Sequence, residues 1–292
     1  MKVQKSFDRE KGILYIVPTP IGNLEDMTFR AVRILKEADL IAAEDTRNTK
    51  KLLNYFQIKT PLTSYHEHNK ESSGKKLIEQ LSSGKNIALV SDAGMPAISD
   101  PGYELVRDAV QKGIHVVSLP GANAAITALV ASGIPPQPFY FYGFLPRKKK
   151  EREHTLEKIK KIQAAIILYE APHRIKETVK ALHSVLGNRK ITLCRELTKK
   201  YEEYIRGSLE EVSEWVQHNA LRGEFCLIIE GATDDSEENE EGFWKTMDIV
   251  QHVEYYINNG LTAKDAIKQT AKDRKIGKRA VYQKYHIEKG NR

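Results

Sequence analysis

The chain has 292 residues, 40% hydrophobic and 29% charged, which is enough for two or three domains with hydrophobic cores. Residues 1–11 are too polar for a signal peptide, and no apolar run approaches the roughly 20 residues of a membrane helix. We therefore expect a cytoplasmic protein without a membrane segment. Cys194 and Cys226 lie far apart in apolar segments, which favours buried free thiols over a metal site.

The formal net charge of +7 is distributed unevenly. Residues 243–292 contain 11 Lys or Arg against 5 Asp or Glu, whereas residues 1–242 are nearly balanced, at 35 against 34. A small basic module indicates a polyanionic partner, most simply a nucleic acid.

Residues 12–121 contain five apolar runs that alternate with helical segments, which predicts an α/β domain with a five-stranded parallel sheet. The predicted strands are residues 13–17, 39–43, 62–65, 88–90 and 115–119. The first predicted helix follows a cap at Asp26. The other helices are predicted over residues 49–56, 72–81, 103–111 and 124–131. Each strand ends in a polar or Gly/Pro cluster, so we expect a ligand site at that edge of the sheet.

Predicted strands and helices alternate less regularly in residues 122–232, which predicts a second α/β domain with a mixed sheet. The predicted strands are residues 139–144, 165–169, 191–194, 203–205 and 225–230. One helix is predicted to end near residue 161, and two others are predicted over residues 173–186 and 209–219.

Residues 233–242 form an acidic linker, and residues 243–292 form a small helical module that resembles a helix-turn-helix. A helix is predicted over residues 243–258. Thr262 and Asp265 form a capping box before a second helix, and Gly277 marks a turn before a third. The alternative is a charged helical hairpin that serves only in packing.

Three loops at the strand ends carry the most distinctive motifs. They are residues 17–26 (VPTPIGNLED), 91–102 (SDAGMPAISDPG) and 119–124 (LPGANA). Further motifs are residues 43–47 (AEDTR), 65–69 (YHEHN), 169–174 (YEAPHR), 194–198 (CRELT) and 223–225 (GEF). In this order they resemble the tetrapyrrole methylase superfamily, and within it the bacterial 16S rRNA (cytidine-2′-O)-methyltransferases. Met95 departs from the pattern, since the family often has Thr there.

The resemblance implies S-adenosyl-L-methionine as the methyl donor, bound in the cleft between two domains, and a homodimer. It also implies methyl transfer to the ribose 2′-OH of a cytidine in the decoding region of 16S rRNA, in the 30S subunit. Two alternatives stay open. A small-molecule methylase of the superfamily has little use for a basic tail, and a DNA-binding regulator with a sensor domain does not explain the polar strand ends.

Binding such a donor requires backbone polar groups and a narrow apolar slot that align oxygen, methyl group and sulfur. The loops after the strands meet this need, and no G-x-G-x-x-G fingerprint indicates a dinucleotide site instead. The residues expected to bind the cofactor are Pro18, Pro20, Ser91, Asp92, Ala93, Gly94, Pro96, Ile98, Leu119, Pro120, Gly121, Ala122, Tyr169, Glu170 and Glu224.

A ribose hydroxyl is a poor nucleophile, so a nearby base would assist the transfer. The catalytic candidates at the strand ends are Glu44, Asp45, His66 and Glu67, with Glu170 as a further possible base. Helix caps and structural ion pairs explain the same residues equally well.

The residues expected to contact RNA are Asn23, Arg47, Asn69, Arg174, Arg195, Lys148, Lys149, Lys278, Arg279 and Lys284. Arg47 and Arg174 have an alternative role as ion-pair partners of Asp45 and Glu170. The lysine run at residues 148–150 is equally compatible with a solvated surface. Tyr65 and Tyr169 either stack on a base or pack in the core.

Overall fold

A computed structural model describes residues 3–6, 12–233, 244, 247–274 and 276–290. The chain divides into two compact units, Met1–Glu230 and Gly231–Arg292. Both sheets belong to the first unit.

The first sheet is parallel throughout, as the alternating pattern predicts. Its strands are β1 (Ile13–Ile16), β2 (Leu40–Ala43), β3 (Leu62–Ser64), β4 (Ile87–Val90) and β5 (His115–Ser118). They are ordered β3-β2-β4-β1-β5. Because every neighbouring pair is parallel, all five carboxyl ends lie along one edge.

Two layers of helices cover the first sheet. They are α1 (Phe29–Glu37) and α2 (Thr46–Tyr55) on one side, and α3 (Lys70–Ser82) and α4 (Tyr103–Gln111) on the other. Leu35 and Leu53 of the first layer share a core with Ile13 and Ile41 of the sheet. Leu77 and Leu105 pack instead in the core on the opposite face. Each layer buries the apolar side of two amphipathic helices.

The structure corrects the predicted start of two helices. Asp26 lies in a short 3₁₀ turn, Leu24–Asp26, and α1 is capped by Thr28, whose hydroxyl accepts from the Ala31 N–H at 3.0 Å. The helix α2 starts at Thr46, three residues before the predicted start, because Asp45 caps it. Both Asp and Thr are good caps, and only the backbone geometry decides between them.

The second sheet is mixed, as predicted. Its strands are β6 (Phe139–Phe144), β7 (Ala165–Glu170), β8 (Lys190–Arg195), β9 (Glu203–Ser208) and β10 (Phe225–Ile229). They are ordered β6-β7-β10-β8-β9, and only β6 and β7 pair in parallel. The helices of this part are α5 (Ala124–Ala131), α6 (Lys149–Ile159), α7 (Ile175–Leu186) and α8 (Leu209–His218).

The predicted free thiols are confirmed. Cys194 and Cys226 are both buried and unbridged, and they face each other across the pairing of β8 with β10. Burial raises the pKa of both thiols, that of Cys194 to about 12, so both are protonated at neutral pH.

The described residues of the second unit form three helices, α9 (Ile249–Asn258), α10 (Ala263–Asp273) and α11 (Lys278–Gly290). The first of them begins at Ile249 and not at residue 243 as predicted, because Asp248 caps it. They enclose a small core that includes Val253, Ile267 and Val281. Thr262 caps α10 as predicted. In a capping box the Asp265 carboxylate would accept from the backbone N–H of Thr262, whereas here it accepts from the Thr262 hydroxyl. The acidic linker predicted at residues 233–242 lies outside the described residues, apart from Thr233.

Candidate active site

Three acidic side chains converge at the carboxyl edge of the first sheet. Ala43 of β2 lies opposite Val90 of β4, so Glu44 and Asp92 follow neighbouring strands. The Glu44 carboxylate accepts a hydrogen bond from the backbone N–H of Asp92, and Asp100 of the same loop interacts with both carboxylates.

The cluster changes the acidity of Glu44 and Asp100. Burial raises the pKa of Glu44, and the negative charges of Asp100 and Asp92 raise it further. Burial also raises the pKa of Asp100, although a hydrogen bond from Ser91 opposes the shift. A carboxylate with a raised pKa is a better proton acceptor, which makes these two residues candidates for acid–base chemistry.

Asp45 has the opposite electrostatic environment. Its carboxylate accepts from the backbone N–H of Arg47 at 2.8 Å and from the Arg47 guanidinium at 2.7 Å. Side-chain and backbone hydrogen bonds from Arg47 lower the pKa of Asp45 to about 2. Asp45 is therefore a weak base, while the Arg47 side chain remains 87% exposed at the sheet edge.

The loop after β3 uses most of its polar side chains internally. The Asn69 side chain accepts from the His66 N–H at 2.8 Å and donates to the Ser64 carbonyl at 3.2 Å. Glu67 forms an ion pair of 2.7 Å with Lys70. Tyr65 is buried in the core. The ring nitrogen Nδ1 of His66 has no described hydrogen-bond partner, which distinguishes His66 from Glu67 and Asn69.

The first two loops are joined by a pair of backbone hydrogen bonds. Thr19 and Gly94 each donate to the carbonyl of the other at 3.0 Å. Gly94 has φ +77°, and a Cβ there would lie 3.1 Å from Ile21 Cγ2. The third loop closes against the first at Gly121, where a Cβ would lie 2.7 Å from Pro18 Cβ. The three loops thus form one wall that requires glycine at both positions.

A cavity of about 800 Å³ lies between this wall and the second sheet. Its volume is in the range of roughly 300–1,000 Å³ that is typical of small-molecule sites. Six predicted cofactor residues line it, namely Ala93, Gly94, Ile98, Tyr169, Glu170 and Glu224.

The other predicted cofactor residues do not line the cavity. They are Pro18, Pro20, Ser91, Asp92, Pro96, Leu119, Pro120, Gly121 and Ala122. Three of them connect the loops of the wall: the Ser91 carbonyl accepts from the Thr19 hydroxyl at 3.1 Å, and Pro18 packs on Gly121. These three residues hold the loops together and do not face the cavity.

The cavity has lining residues that the sequence-based prediction missed, among them Asp100, Asn123, Phe141, Phe144, Cys194 and Cys226. Phe141 and Phe144 pack edge-on against Tyr169, with ring centroids 5.2 and 5.6 Å apart. Asp100 belongs to the motif of residues 91–102 and Asn123 to that of residues 119–124, so both could have been predicted. The two aromatic rings come from β6, whose sequence by itself indicates only a strand.

Glu170 and Arg174 form a buried structural cluster. The Glu170 carboxylate accepts from the Thr178 hydroxyl at 2.6 Å and from the Ala171 N–H at 2.9 Å, and lies 3.3 Å from Arg174 Nε. Arg174 also donates to the Leu145 carbonyl at 2.8 Å. The arginine is therefore engaged by the protein itself and is poorly placed to bind phosphate.

The remaining predicted RNA contacts are spread over the surface. Arg195 pairs with Glu203 at 3.0 Å, and the Asn23 side chain caps the 3₁₀ turn. Lys148 and Lys149 are exposed beside acidic partners of their own helix. Lys278, Arg279 and Lys284 are exposed on α11 of the second unit.

Glu224 belongs to an ion-pair network at the rim of the cavity. Lys199 Nζ lies 2.9 Å from both Glu224 Oε2 and Glu196 Oε1. The stem of Lys199 covers Gly22, where a Cβ would collide with it. This contact links the first loop to the second sheet.

No cluster of His, Cys, Asp and Glu able to hold a metal ion occurs in the described part of the chain. Within the same residues, every helix is too short or too polar to cross a membrane.

The family model described as Tetrapyrrole (Corrin/Porphyrin) Methylases matches residues 13–213. The chain belongs to this family, whose members are methyltransferases that use S-adenosyl-L-methionine. The same fold occurs in solved structures of a cobalt precorrin-4 methyltransferase (TM-score 0.56, 16% identity, 75% of this chain and 95% of that one) and a diphthine synthase (TM-score 0.58, 14% identity, 78% and 93%).

The chain is also similar over nearly its whole length to curated relatives. It is 61% identical to the ribosomal RNA small subunit methyltransferase I of Bacillus subtilis strain 168, over 98% of this chain and 99% of the relative. It is 46% identical to the protein of the same name from Synechocystis sp., over 93% and 96%.

The lining of the cavity fits S-adenosylmethionine. Phe141, Phe144 and Tyr169 provide aromatic surface for a flat ring and for a cationic centre. Asp100 places a carboxylate at the same cavity, where it complements positive charge. Gly94 and Asn123 line the opposite wall of the cavity.

Proposed function

We propose that the protein transfers the methyl group of S-adenosylmethionine to the ribose 2′-OH of a cytidine in the decoding region of 16S rRNA. The observation that carries the proposal is the 61% identity to an rRNA small subunit methyltransferase over 98% of the chain. The choice of cytidine and of the 2′ oxygen follows from the motif resemblance described above.

When bound, the donor supplies a methyl group already activated on a sulfonium sulfur, so the chain needs no covalent nucleophile. Its own residues must hold the acceptor oxygen in line with that group and exclude water. The glycine-bearing wall and the aromatic rings of the second sheet carry out this task.

Glu44 is the residue that we propose as the acceptor of the 2′-OH proton. It is half-buried at the sheet edge, its pKa is raised, and no described cation neutralises it. Of the other catalytic candidates, Asp45 is bound by Arg47 and Glu67 by Lys70. His66 is the alternative base because its Nδ1 has no described partner.

The proposed partners are 16S rRNA and the 30S subunit, and the enzyme would act as a homodimer in the cytoplasm, where these subunits are found. Arg47 at the sheet edge and the lysines and arginine of α11 are positioned on exposed surfaces for phosphate contacts.

The test is transfer of labelled methyl groups from S-adenosylmethionine to 30S subunits, naked 16S rRNA, DNA and a precorrin-type tetrapyrrole. We expect labelled 2′-O-methylcytidine after nuclease digestion of the RNA. Absence of label from both RNA substrates would contradict the proposal, and label in the tetrapyrrole would identify a small-molecule methylase instead.

A further inference from the structure

The two helical layers of the first sheet differ in charge. On one side, α1 and α2 carry six basic residues and a single acidic one. The basic residues are Arg30, Arg33, Lys36, Arg47, Lys50 and Lys51, and the acidic one is Glu37. On the other side, α3 and α4 carry four basic and four acidic residues. The first layer, which we call the basic face, therefore has a net charge of +5, and the second is neutral.

The basic face also bears two exposed aromatic rings. Phe29 is 98% exposed and Tyr55 is 63% exposed, and both line one open groove of about 620 Å³. Arg33 and Lys36 line the same groove. Helical spacing explains the arrangement, because residues four and seven apart share one side of a helix. Exposed apolar groups that gather in one groove, unlike single scattered ones, mark interaction sites in soluble proteins.

We propose that the basic face is an auxiliary docking surface for the RNA substrate, where unpaired bases stack on Phe29 and Tyr55 and phosphates meet the lysines of α1 and α2. Aromatic rings beside basic side chains are the combination that single-stranded RNA requires. The inference rests on the proposed function, and it assigns to that function a surface outside the cavity.

The position of the face supports an RNA partner over a protein partner. Lys36, Lys50 and Lys51 are exposed and have no ion-pair partner among the described residues. Arg47 stands at the amino end of α2 beside the acidic cluster, so the positive surface begins at the candidate site. An RNA strand leaving the site would meet Lys50 and Lys51 in the middle of α2.

The first experiment compares charge reversals on the two layers. We expect Lys36→Glu with Lys51→Glu to weaken binding of naked 16S rRNA, and to reduce the slope of log K against log salt by about 0.7 to 0.9 for each phosphate that the variant no longer neutralises. The matched control is Lys75→Glu with Lys76→Glu, which makes the same change of charge on the exposed surface of α3. Equal losses of affinity in both variants would overturn the proposal, because they would reflect net charge alone.

The second experiment addresses the rings. Phe29→Ser with Tyr55→Ser is expected to weaken binding of a single-stranded 16S rRNA fragment by at least about fivefold, the lower end of the effect of removing one stacked base. Phe29→Tyr with Tyr55→Phe keeps both rings and should bind as the unsubstituted protein does. Equal affinity of the serine and ring-keeping variants would overturn the proposal.

Light scattering and methyl transfer to 30S subunits separate the other outcomes. If the serine variant loses oligomeric state but keeps its RNA affinity, the rings belong to an interface between copies and the proposal is wrong. If all variants bind RNA equally while the unsubstituted enzyme methylates 30S subunits, the surface is wrong and the proposed function stands. If binding depends on the face but no methyl transfer occurs, the surface is supported and the proposed function is wrong.

Discussion

Neighbouring carboxylates at the end of β2 show how strongly the surroundings determine the chemistry of a residue. Glu44 is partly buried and lies near the negative charges of Asp100 and Asp92, so its pKa is raised. Asp45 accepts hydrogen bonds from Arg47, so its pKa is lowered to about 2. The two side chains are equivalent candidates in the sequence, and only their partners distinguish the proposed base, Glu44, from the helix cap, Asp45.

Replacement of the proposed base tests this distinction. Glu44→Gln keeps the size of the side chain but cannot accept the proton, so we expect kcat to fall by about 100- to 10,000-fold. Cofactor affinity, measured by calorimetry, should be unchanged. Glu71→Gln, at an exposed carboxylate of α3, is the control. A Glu44 variant with normal kcat would exclude this residue as the base.

The acidic cluster also predicts a pH effect. Asp100 is one of the negative charges that raise the pKa of Glu44, so Asp100→Asn should lower that pKa. If the deprotonated form of Glu44 is the base, as proposed, the acidic limb of the kcat/KM profile should move to lower pH. A limb that stays in place, or moves to higher pH, would disprove the coupling. Asp108→Asn, at a carboxylate paired with Arg107, should leave the profile unchanged.

At the scale of elements, the strands were predictable and the loop contacts were not. The sequence predicted each strand of the described residues, most directly β4 and β10, which are buried along their whole length and therefore contain only apolar residues. Helix starts were less certain, since Asp26 and Thr28 are both acceptable caps. Six of the predicted cofactor residues line the cavity, and the other nine do not.

The wall loop predicts the effect of a substitution at Gly94. Gly94→Val would place a branched side chain at φ +77° and against Ile21, at a conformational cost of about 1–2 kcal/mol before any clash. We expect cofactor affinity to fall at least tenfold, measured by calorimetry, while binding to 16S rRNA is retained.

Gly113→Val is the matched control for Gly94. Gly113 has φ +71°, but a Cβ there meets nothing within 4 Å. The control should therefore lose similar stability in thermal unfolding and keep its cofactor affinity. An equal loss of cofactor affinity in both variants would show that backbone strain alone, and not the wall, is responsible.

At the scale of the whole molecule, the chain consists of two units with separate cores. The cavity and the acidic cluster belong entirely to the first unit, whereas the basic residues of α11 belong to the second. Cofactor binding and part of RNA binding are therefore expected to be separable.

Truncation after Thr233 tests this separation. The shortened protein should bind S-adenosylmethionine like the full chain and lose affinity for 16S rRNA, with a smaller salt dependence. In the full chain, Lys278→Glu with Arg279→Glu should reproduce much of the loss without removing a helix. RNA binding that is unchanged in both proteins would assign the three helices a packing role.

The sequence by itself determined the elements, the mixed and parallel sheets, and the loops that hold glycine, because hydrophobic period and turn chemistry are local properties. Only the tertiary structure decided which side chains meet. The strand order places β2 beside β4 and so brings Glu44 to Asp92 and Asp100. The second sheet brings Phe141, Phe144 and Tyr169 to face the wall. These contacts join residues distant in the chain, and a local pattern carries no information about them.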